Sequence, residues 1–382
     1  MGEVRLKILL LGDASNCHVS LAKGLRRLGH DVTVISEGSG WQRTARDIDI
    51  SRPVGGKLGG ALFYGRMRWL MRRELSGYDV VSIHNPNFLS LKPHRIMPVF
   101  DRLFDDNRGV FLTALGTDVF FIRECLNPDS PLRYNEWRIG DRPGALALAR
   151  PELLKSWLTP ELVDFHRYVY DRVDGITPIL YEYDVSVRSS GKDPEAICHI
   201  GLPIDLRELR PVVLPDEIDC VNLFLGRHRD RQAEKGTDLL EQAARVVVDR
   251  HPGRARLTIV ENRPYAEYLG LLRSAHVLMD QAYSYTPATN ALLAMGCALN
   301  AVSGGEDDFY DFIGERDNRP VINAQPCLDG LVETLDDVVT HPEAIRPRGE
   351  ASRSFVARHN ECEIVAQRAV DFWLKRLNQL GR

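Results

Sequence analysis

The stretch Met279–Glu306, MDQAYSYTPATNALLAMGCALNAVSGGE, decides the predicted fold because it alternates between loop, helix and strand. It follows a short apolar run, His276–Met279, which has the length of a buried strand. Thr286 and Pro287 predict a helix start, since a hydroxyl side chain caps a helix and proline loses nothing at the first helical position. We expect this helix to run to about Cys297.

After this helix the chain returns to a strand, Ala298–Val302, and then to a small-residue loop, Ser303–Glu306. The helix would present the free backbone N–H groups of Ala288 and Thr289 at the carboxyl edge of a parallel sheet. An anion is favoured there by the helix dipole. A nucleotide site and an ordinary strand–helix–strand unit explain this stretch equally well.

Length and composition predict a soluble globular protein of two domains. The chain has 382 residues, 44% of them hydrophobic and 27% charged, with a net charge of −4. This charge does not favour nucleic acid as a partner, and no apolar run approaches the ~20 residues of a membrane span. The first residues are typical of a β-strand rather than of a signal peptide. The seven cysteines are scattered along the chain, which is typical of reduced thiols that bind no zinc. We therefore expect a cytoplasmic protein.

The first half begins with the strand–helix–strand pattern of doubly wound folds: a strand over 6–11, a helix over 17–28 and a strand over 32–35. Strands are also predicted at 79–83, 110–114, 176–180 and 198–200. The polar loops that follow the strands over 6–11, 79–83 and 110–114 should lie at one carboxyl edge of the sheet, where α/β folds bind ligands. They carry Gly12, His84, Gly116 and Asp118.

Two parts of the first half are irregular. Residues 57–75 mix five cations with large apolar side chains, which is typical either of a helix lying on an anionic membrane or of a solvated helix face beside a cleft; we favour the second. Residues 124–165 are rich in Arg, Pro and Trp and are interpreted as an insertion, with an acceptor lid as one hypothesis.

The second half repeats the alternation of strand and helix. A strand over 221–225 is followed by a helix from Thr237 to Arg250. A strand over 256–260 and a helix over 265–273 come next. The loop between the first strand and helix carries four cations, which suit phosphate oxygens but are also common as solvated loop charges. They are Arg227, Arg229, Arg231 and Lys235.

Three motifs carry a family resemblance over nearly the whole chain. Residues 280–295 read DQAYSYTPATNALLAM, residues 260–268 read VENRPYAEY, and Gly226-Arg227 with Glu234-Lys235-Gly236 form a GR…EKG element. The chain resembles the GT-B-fold retaining glycosyltransferases of family 4, also called glycosyl transferases group 1.

The resemblance implies an α/β fold of two Rossmann-like domains facing a cleft, with a C-terminal helix that crosses back. The expected domains are an acceptor domain over 1–210, a nucleotide-sugar domain over 211–360 and the helix over 361–382, packed on the first domain. It also implies that Arg227 and Lys235 hold the donor diphosphate, that Gly305 and Glu306 face the donor sugar, and that residues 260–265 face the base. The remaining expected donor residues are Glu261, Tyr265, Tyr285, Thr286, Pro287 and Asn290.

The first-half loops would then line the acceptor side, with Gly12 and Gly116 as binding residues. His84 or Asp118 would serve as the catalytic group. No metal and no cofactor beyond a UDP- or GDP-linked donor is expected, because Arg227 and Lys235 supply the charge of a divalent ion. Asp47-Ile48-Asp49 is interpreted as a surface loop. The acceptor would be a glycan or a lipid-linked saccharide, with a peripheral membrane contact.

The sequence departs from the family pattern at two acidic positions. Relatives carry Glu-x7-Glu at the donor site, and the corresponding residues here are Tyr285 and Leu293; Leu115 also replaces a frequent histidine. An inactive glycosyltransferase-like binding or scaffold protein is therefore the main alternative. A nucleotide-sugar epimerase with the same fold is a weaker one.

Overall fold

The computed structural model describes residues 5–38, 45–52, 54–89 and 91–382, without the side chains at 57 and 229. The chain forms two compact units. Unit 1 contains Met1–Arg123, Leu153–Pro203 and Cys362–Arg382, and unit 2 contains Glu124–Glu152 and Ile204–Glu361. The expected boundary at 210 is therefore wrong for Glu124–Glu152, which we call segment 124–152 and which folds with the second half of the chain.

The strands of the described chain are short and mostly buried. In chain order they are β1 (Lys7–Leu11), β2 (Asp31–Ser36), β3 (Ile48–Asp49), β4 (Val80–Ile83), β5 (Val110–Ala114), β6 (Arg138–Ile139), β7 (Arg142–Pro143), β8 (Gly175–Pro178), β9 (Val221–Arg227), β10 (Ala255–Glu261), β11 (Val277–Met279), β12 (Asn300–Ser303) and β13 (Ile322–Asn323).

The helices alternate with these strands. In chain order they are α1 (Cys17–Arg27), α2 (Gly56–Arg73), α3 (Pro93–Asp106), α4 (Val119–Leu126), α5 (Ala145–Ala149), α6 (Pro151–Trp157), α7 (Pro160–Arg172), α8 (Tyr181–Ser189), α9 (Gln232–Lys235), α10 (Thr237–Arg250), α11 (Tyr265–Leu272), α12 (Thr289–Gly296), α13 (Asp307–Ile313), α14 (Leu328–Thr340), α15 (Ile345–His359) and α16 (Cys362–Gln379).

Unit 1 is built on a parallel sheet in the order β3-β2-β1-β4-β5-β8. Its central strands are continuous apolar runs because helices cover both faces of such a sheet; Ile8 to Leu11, for example, are fully buried. The strand expected at 198–200 is not formed. The stretch still runs along the sheet edge: Ile197 forms a bridge with Ile176, and the N–H groups of Cys198 and Ile200 donate to backbone oxygens of β8.

Unit 2 has a second parallel sheet, in the order β10-β9-β11-β12-β13. Helix α10 runs from Thr237 to Arg250, as the apolar spacing of the sequence predicts. The prediction of a cap at Thr286 is wrong: α12 begins at Thr289 with Ala288 as its N-cap, and no side chain caps it. Thr286 and Pro287 are buried in the loop before the helix.

The C-terminal helix α16 packs on α1 within unit 1. A Cβ added at Gly24 of α1 would lie 2.1 Å from the backbone oxygen of Cys362, so only glycine permits this approach. Phe372 of α16 similarly occupies the space beside Gly175 of β8. Gly24 of α1 and Gly175 of β8 thus leave the space in which α16 packs.

Candidate functional site

The carboxyl ends of the strands meet at one edge of each parallel sheet, which we call the carboxyl edge. In unit 2, the loops after β9, β10, β11 and β12 start at this edge. They carry nearly all residues that the sequence predicts for a donor site. Open α/β sheets bind their ligands at this edge, so the contacts made there decide what the site can hold.

Arg227, the last residue of β9, lies between two carboxylates. Its guanidinium donates to Glu241 of α10 and to Glu261 at the end of β10. Only 15–20% of each of the three side chains is exposed. The cation expected to be open to a diphosphate is therefore balanced by two negative groups, and a phosphate would have to replace one of them.

Lys235 is held by a carboxylate that the sequence reasoning left without a role. Its ammonium Nζ lies 2.9 Å from Oδ1 of Asp280, which follows β11 and is fully buried. The other oxygen of Asp280 is 3.4 Å from the hydroxyl of Ser303, and the backbone oxygen of Lys235 accepts from the N–H of Ala282. The loop that carries Lys235 is thus joined to the loop after β11. The sequence signal for Asp280 was an acidic residue directly after a buried strand.

Arg231, the other cation of this loop whose side chain the structure describes, adds little free charge. Arg231 pairs with Glu234 at 2.5 Å, and 55% of its side chain is exposed. The side chain of Arg229 lies outside the described residues. Arg227 and Lys235 are therefore the cations that the structure fixes at the carboxyl edge.

Glu306 is the centre of a buried hydrogen-bond network. Its Oε1 accepts from the hydroxyl of Tyr134 at 2.8 Å, from Asn323 at 2.6 Å and from Gln325 at 2.7 Å, and its Oε2 accepts from Arg133 at 2.6 Å. Burial acts to raise its pKa, but the hydrogen bonds from Asn323, Gln325 and Tyr134 outweigh burial and lower the Glu306 pKa. The carboxylate is occupied by these protein donors in the structure, and a position of Glu306 facing a donor sugar stays a prediction.

Tyr285 is fully buried and contacts the same two residues of segment 124–152. Its hydroxyl oxygen accepts from the backbone N–H groups of Arg133 and Tyr134. The ring stacks on Tyr134 with 4.7 Å between centroids, and the Arg133 guanidinium lies 5.4 Å from its centre. Tyr285 and Glu306 therefore anchor segment 124–152 to unit 2, a role that no sequence motif indicated.

The remaining predicted donor residues lie close to α11 and α12. Asn290, in the first turn of α12, accepts from the hydroxyl of Tyr268 at 2.7 Å. Tyr265 begins α11, and burial raises its pKa to about 12. Gly305 donates its N–H to Asn323 at 2.9 Å, and a Cβ at Gly304 would lie 2.4 Å from the backbone oxygen of Ser284. The loops after β11 and β12 are therefore in close contact.

The carboxyl edge of unit 1 brings Gly12 and His84 together. Gly12 has a φ of 77°, and a Cβ there would lie 1.9 Å from Nδ1 of His84, so both the backbone and the space require glycine. Burial and the neighbouring His18 lower the pKa of His84 to about 3. The imidazole is therefore neutral at physiological pH and is a weak base.

Asp118 is fixed by two hydrogen bonds at the start of α4. One oxygen accepts from the N–H of Phe121 at 2.7 Å and the other from the hydroxyl of Tyr170 at 2.5 Å. Burial raises its pKa. Gly116 adopts a φ of 82° in the preceding turn, with open space around it. Asp118 thus organises the turn and the helix start.

Asp13 and His18 are site candidates that sequence reasoning missed. His18 donates from Nδ1 to the backbone oxygen of Gly12 at 2.7 Å, which leaves Nε2 to accept from Thr113 at 3.3 Å. Asp13 accepts the N–H of His18 at 2.8 Å through Oδ1, whereas its buried Oδ2 has no partner among the described residues. Burial raises the pKa of Asp13 to about 6, so this carboxyl group changes charge close to neutral pH. Burial of this kind cannot be recognised in the sequence of a loop.

Asp47 and Asp49 contact protein groups. Asp47 accepts from the N–H of Val34 at 2.7 Å and pairs with Arg26 at 2.5 Å, and Asp49 pairs with Arg46. Both carboxylates thus hold the β3 region in place. Every helix in the part of the chain that the structure describes is too short or too polar to span a lipid bilayer.

Comparisons by sequence find no relatives: no protein-family profile matches the chain, and no curated protein does. Solved structures match over nearly its full length. A sucrose-phosphate synthase from Thermosynechococcus elongatus superposes with a TM-score of 0.61 at 13% identity, over 98% of this chain and 100% of that one. Anabaena Alr3699/HepE, in complex with UDP and glucose, has a TM-score of 0.56 at 11% identity, over 96% and 99%. A protein proposed to be a UDP-N-acetylglucosamine 2-epimerase from Listeria monocytogenes has a TM-score of 0.53 at 12% identity, over 96% and 95%.

At such low identities the likeness shows the fold and not the activity. Two Rossmann-like units, each with its own parallel sheet, are common to this chain and to these structures. The expected fold class is confirmed: the chain has the GT-B fold of the glycosyltransferases, which the epimerase shares.

Proposed function

We propose that this protein is a metal-independent, retaining glycosyltransferase of family 4 type. It moves a sugar from a UDP- or GDP-linked donor to a hydroxyl of a glycan or lipid-linked acceptor. Unit 2 binds the donor, and the carboxyl edge of unit 1 binds the acceptor. The protein works at the inner face of a membrane through a peripheral contact.

The observation that carries this proposal is the fixed pair of cations at the carboxyl edge of unit 2. Arg227 ends β9 and Lys235 follows within the next loop, each held in place by buried or half-buried carboxylates. This pattern is what the resemblance implies for diphosphate binding. The match to HepE, which was solved with UDP and glucose, is consistent with a UDP-linked donor.

The chemistry needs negative charge to be stabilised on the leaving diphosphate. The bond from the anomeric carbon of the sugar to the diphosphate oxygen breaks, and its electron pair stays on the diphosphate. Arg227 and Lys235 stabilise that charge by exchanging their carboxylate partners for phosphate oxygens. The acceptor oxygen forms the new bond, and its proton passes to a carboxylate or to the released phosphate; Asp13, with a pKa of about 6, is suited to this step in unit 1.

A nucleotide-sugar epimerase is the second candidate, because a structure proposed to have that activity matches this fold with a similar TM-score. The absence of both family glutamates, at Tyr285 and Leu293, leaves an inactive binding protein as the third. The full-length chain incubated with radiolabelled UDP- or GDP-sugars separates the three. We expect donor consumption that depends on an added glycan acceptor.

An isomeric nucleotide-sugar formed without acceptor would establish the epimerase instead. Nucleotide binding without any donor consumption, over a panel of donors and acceptors, would establish the inactive protein. The Lys235→Met/Asp280→Asn variant, which leaves no buried unpaired carboxylate, is expected to lose turnover with every donor. Arg250→Ala, on the exposed end of α10, is the control and should retain it.

A further inference from the structure

Unit 2 has a cavity of ≈ 520 Å³ between helix α15 and residues 211–214, which we call segment 211–214 and which precede β9. Ala298, in the turn between α12 and β12, also lines it. The cavity therefore lies beside the amino end of β12, whereas Arg227 and Lys235 lie at the carboxyl edge. Ligand pockets in proteins typically measure ~300–1,000 Å³, so this cavity has the size for a small molecule.

One wall of the cavity is apolar. It consists of segment 211–214, with the sequence Pro-Val-Val-Leu, and of Ala298. The N–H of Val212 donates to the backbone oxygen of Cys297 at 2.7 Å, which holds the segment against the turn before β12. Val213 is 87% exposed, so the rim of the cavity is apolar as well. This wall favours a ligand with a hydrocarbon body.

The other wall is one face of α15, where Arg346, Glu350 and Arg353 recur about once per helical turn. Arg346 pairs with Asp216 and, at 3.3 Å, with Glu350, so its charge is balanced by two carboxylates. Arg353 has no carboxylate partner in the part of the chain that the structure describes. The positive charge that this wall offers to a ligand is therefore that of Arg353.

The guanidinium of Arg353 is fixed by backbone oxygens. Its Nη1 donates to the oxygen of Leu209 at 3.0 Å and to the oxygen of Gly296, the last residue of α12. Nε and Nη2 form no hydrogen bond with any described residue, and the side chain is half-buried. The N–H groups of Nε and Nη2 lie side by side in a guanidinium and match the two oxygens of a carboxylate. The edge of Arg353 that binds carboxylates is thus held in place and left open.

We propose that this cavity binds a small carboxylate with an apolar body. The carboxylate accepts from Nε and Nη2 of Arg353, and the hydrocarbon part lies against Val212, Leu214 and Ala298. An inorganic anion would satisfy Arg353 but would leave the apolar wall in water. A neutral apolar molecule would cover that wall but would leave two N–H groups without an acceptor. Only a ligand with both parts satisfies both walls of the cavity.

Calorimetric titration of 4-phenylbutyrate into the full-length chain tests the proposal. Three related compounds separate the contributions: butyrate lacks the apolar ring, 4-phenylbutyramide lacks the charge, and 4-phenylbutylamine reverses the charge. We expect 4-phenylbutyrate to bind at one site and at least about tenfold more tightly than each of the three.

Variants at the cavity show where the compound binds. Ala357→Trp fills the space and Val213→Glu adds a negative charge at the rim, and each should weaken binding about tenfold or more. Both positions are exposed, so the melting temperature should stay that of the parent. Arg353→Lys keeps the charge but loses the paired N–H groups, and it should weaken binding as well.

Val246→Glu is the matched control, because this valine of α10 lies on the same unit and is 37% exposed. It should bind 4-phenylbutyrate as the parent does. The proposal is overturned if the parent does not bind 4-phenylbutyrate, if the amide or the amine binds equally well, or if Ala357→Trp and Val213→Glu bind it with the affinity of the parent. The measurement does not depend on transfer activity.

Discussion

At the scale of single residues, the candidate site is organised by carboxylates whose hydrogen-bond partners the sequence did not indicate. Asp280 fixes Lys235, and Glu306 accepts four hydrogen bonds from side chains. In unit 1, Asp13 has the pKa expected of a group that exchanges protons near neutrality, whereas His84 and Asp118 do not offer a free base. The acidic residues of this chain therefore deserve mutation before its histidines.

Asp13 gives a pH-dependent prediction for stability. Its pKa is raised to about 6 in the folded chain, so the fold binds this proton more tightly than the unfolded chain does. Its stabilising contribution is complete below about pH 4 and is lost as the pH rises through 6. Asp13→Asn cannot lose a proton and should exceed the parent in stability by about 3 kcal/mol at pH 7, but by only about 1 kcal/mol at pH 4.5.

Urea denaturation at the two pH values measures this difference. Asp141→Asn, a change at an exposed loop position, is the control and should follow the parent at both. A gap between Asp13→Asn and the parent that is the same at pH 4.5 and pH 7 would show that the Asp13 carboxyl group titrates normally.

The site could be predicted from the sequence only in part. The position of a residue relative to a parallel sheet can be predicted, because a strand such as Val221–Arg227 ends in a polar loop. Arg227 and Lys235 were located in this way. The hydrogen-bond partner of each side chain cannot be predicted from the sequence. Glu306 meets Tyr134 across 172 positions of sequence, and nothing in either local pattern indicates that contact.

At the scale of helices and strands, the spacing of apolar residues was sufficient to predict most elements. The predicted limits of α10 and β5 coincide with the observed ones, because their apolar positions alone decide what is buried. The start of α12 was predicted two residues too early, since Thr286 and Pro287 lie in a buried loop before the helix. Tertiary contacts overrode the local cap signal there.

The contact of α1 with α16 gives a prediction at this scale. Gly24→Ala would place a methyl group 2.1 Å from the backbone oxygen of Cys362, and backbone cannot move aside as a side chain can. We expect a loss of about 2 kcal/mol or more in the free energy of unfolding, measured with urea.

Gly65→Ala is the matched change in a helix. This glycine of α2 has open space around it, so alanine should stabilise the chain by about 0.5 to 1 kcal/mol through helix propensity. Equal stability of the two variants would contradict the packing of α16 on α1.

At the scale of the whole molecule, the chain passes between its units more often than sequence order suggests. Segment 124–152 leaves unit 1 after Arg123, joins unit 2, and the chain returns at Leu153. The hairpin of β6 and β7 lies within this segment, and its anchors are Tyr285 and Glu306. What the sequence presented as an insertion in the first half is thus a structural part of the second.

Glu306→Gln tests this assignment. The amide cannot accept all four hydrogen bonds and leaves Arg133 facing a donor, so we expect a loss of about 2 kcal/mol in unfolding free energy. Hydrogen exchange and limited proteolysis should increase within segment 124–152 more than elsewhere. Glu333→Gln, at an exposed position on α14, should change neither. Hydrogen exchange that increases uniformly over the whole chain would contradict the claim that Glu306 anchors segment 124–152 specifically.

Calorimetric titration of UDP and GDP into the full-length chain tests the central claim most directly, namely that Lys235 at the carboxyl edge of unit 2 binds a diphosphate. Removal of Lys235 alone would leave Asp280 buried and unpaired, so the variant to compare is Lys235→Met/Asp280→Asn, with its fold checked by melting temperature. We expect the parent to bind one nucleotide and the double variant to lose about tenfold to a hundredfold in affinity. Equal affinity in a well-folded double variant would contradict the account.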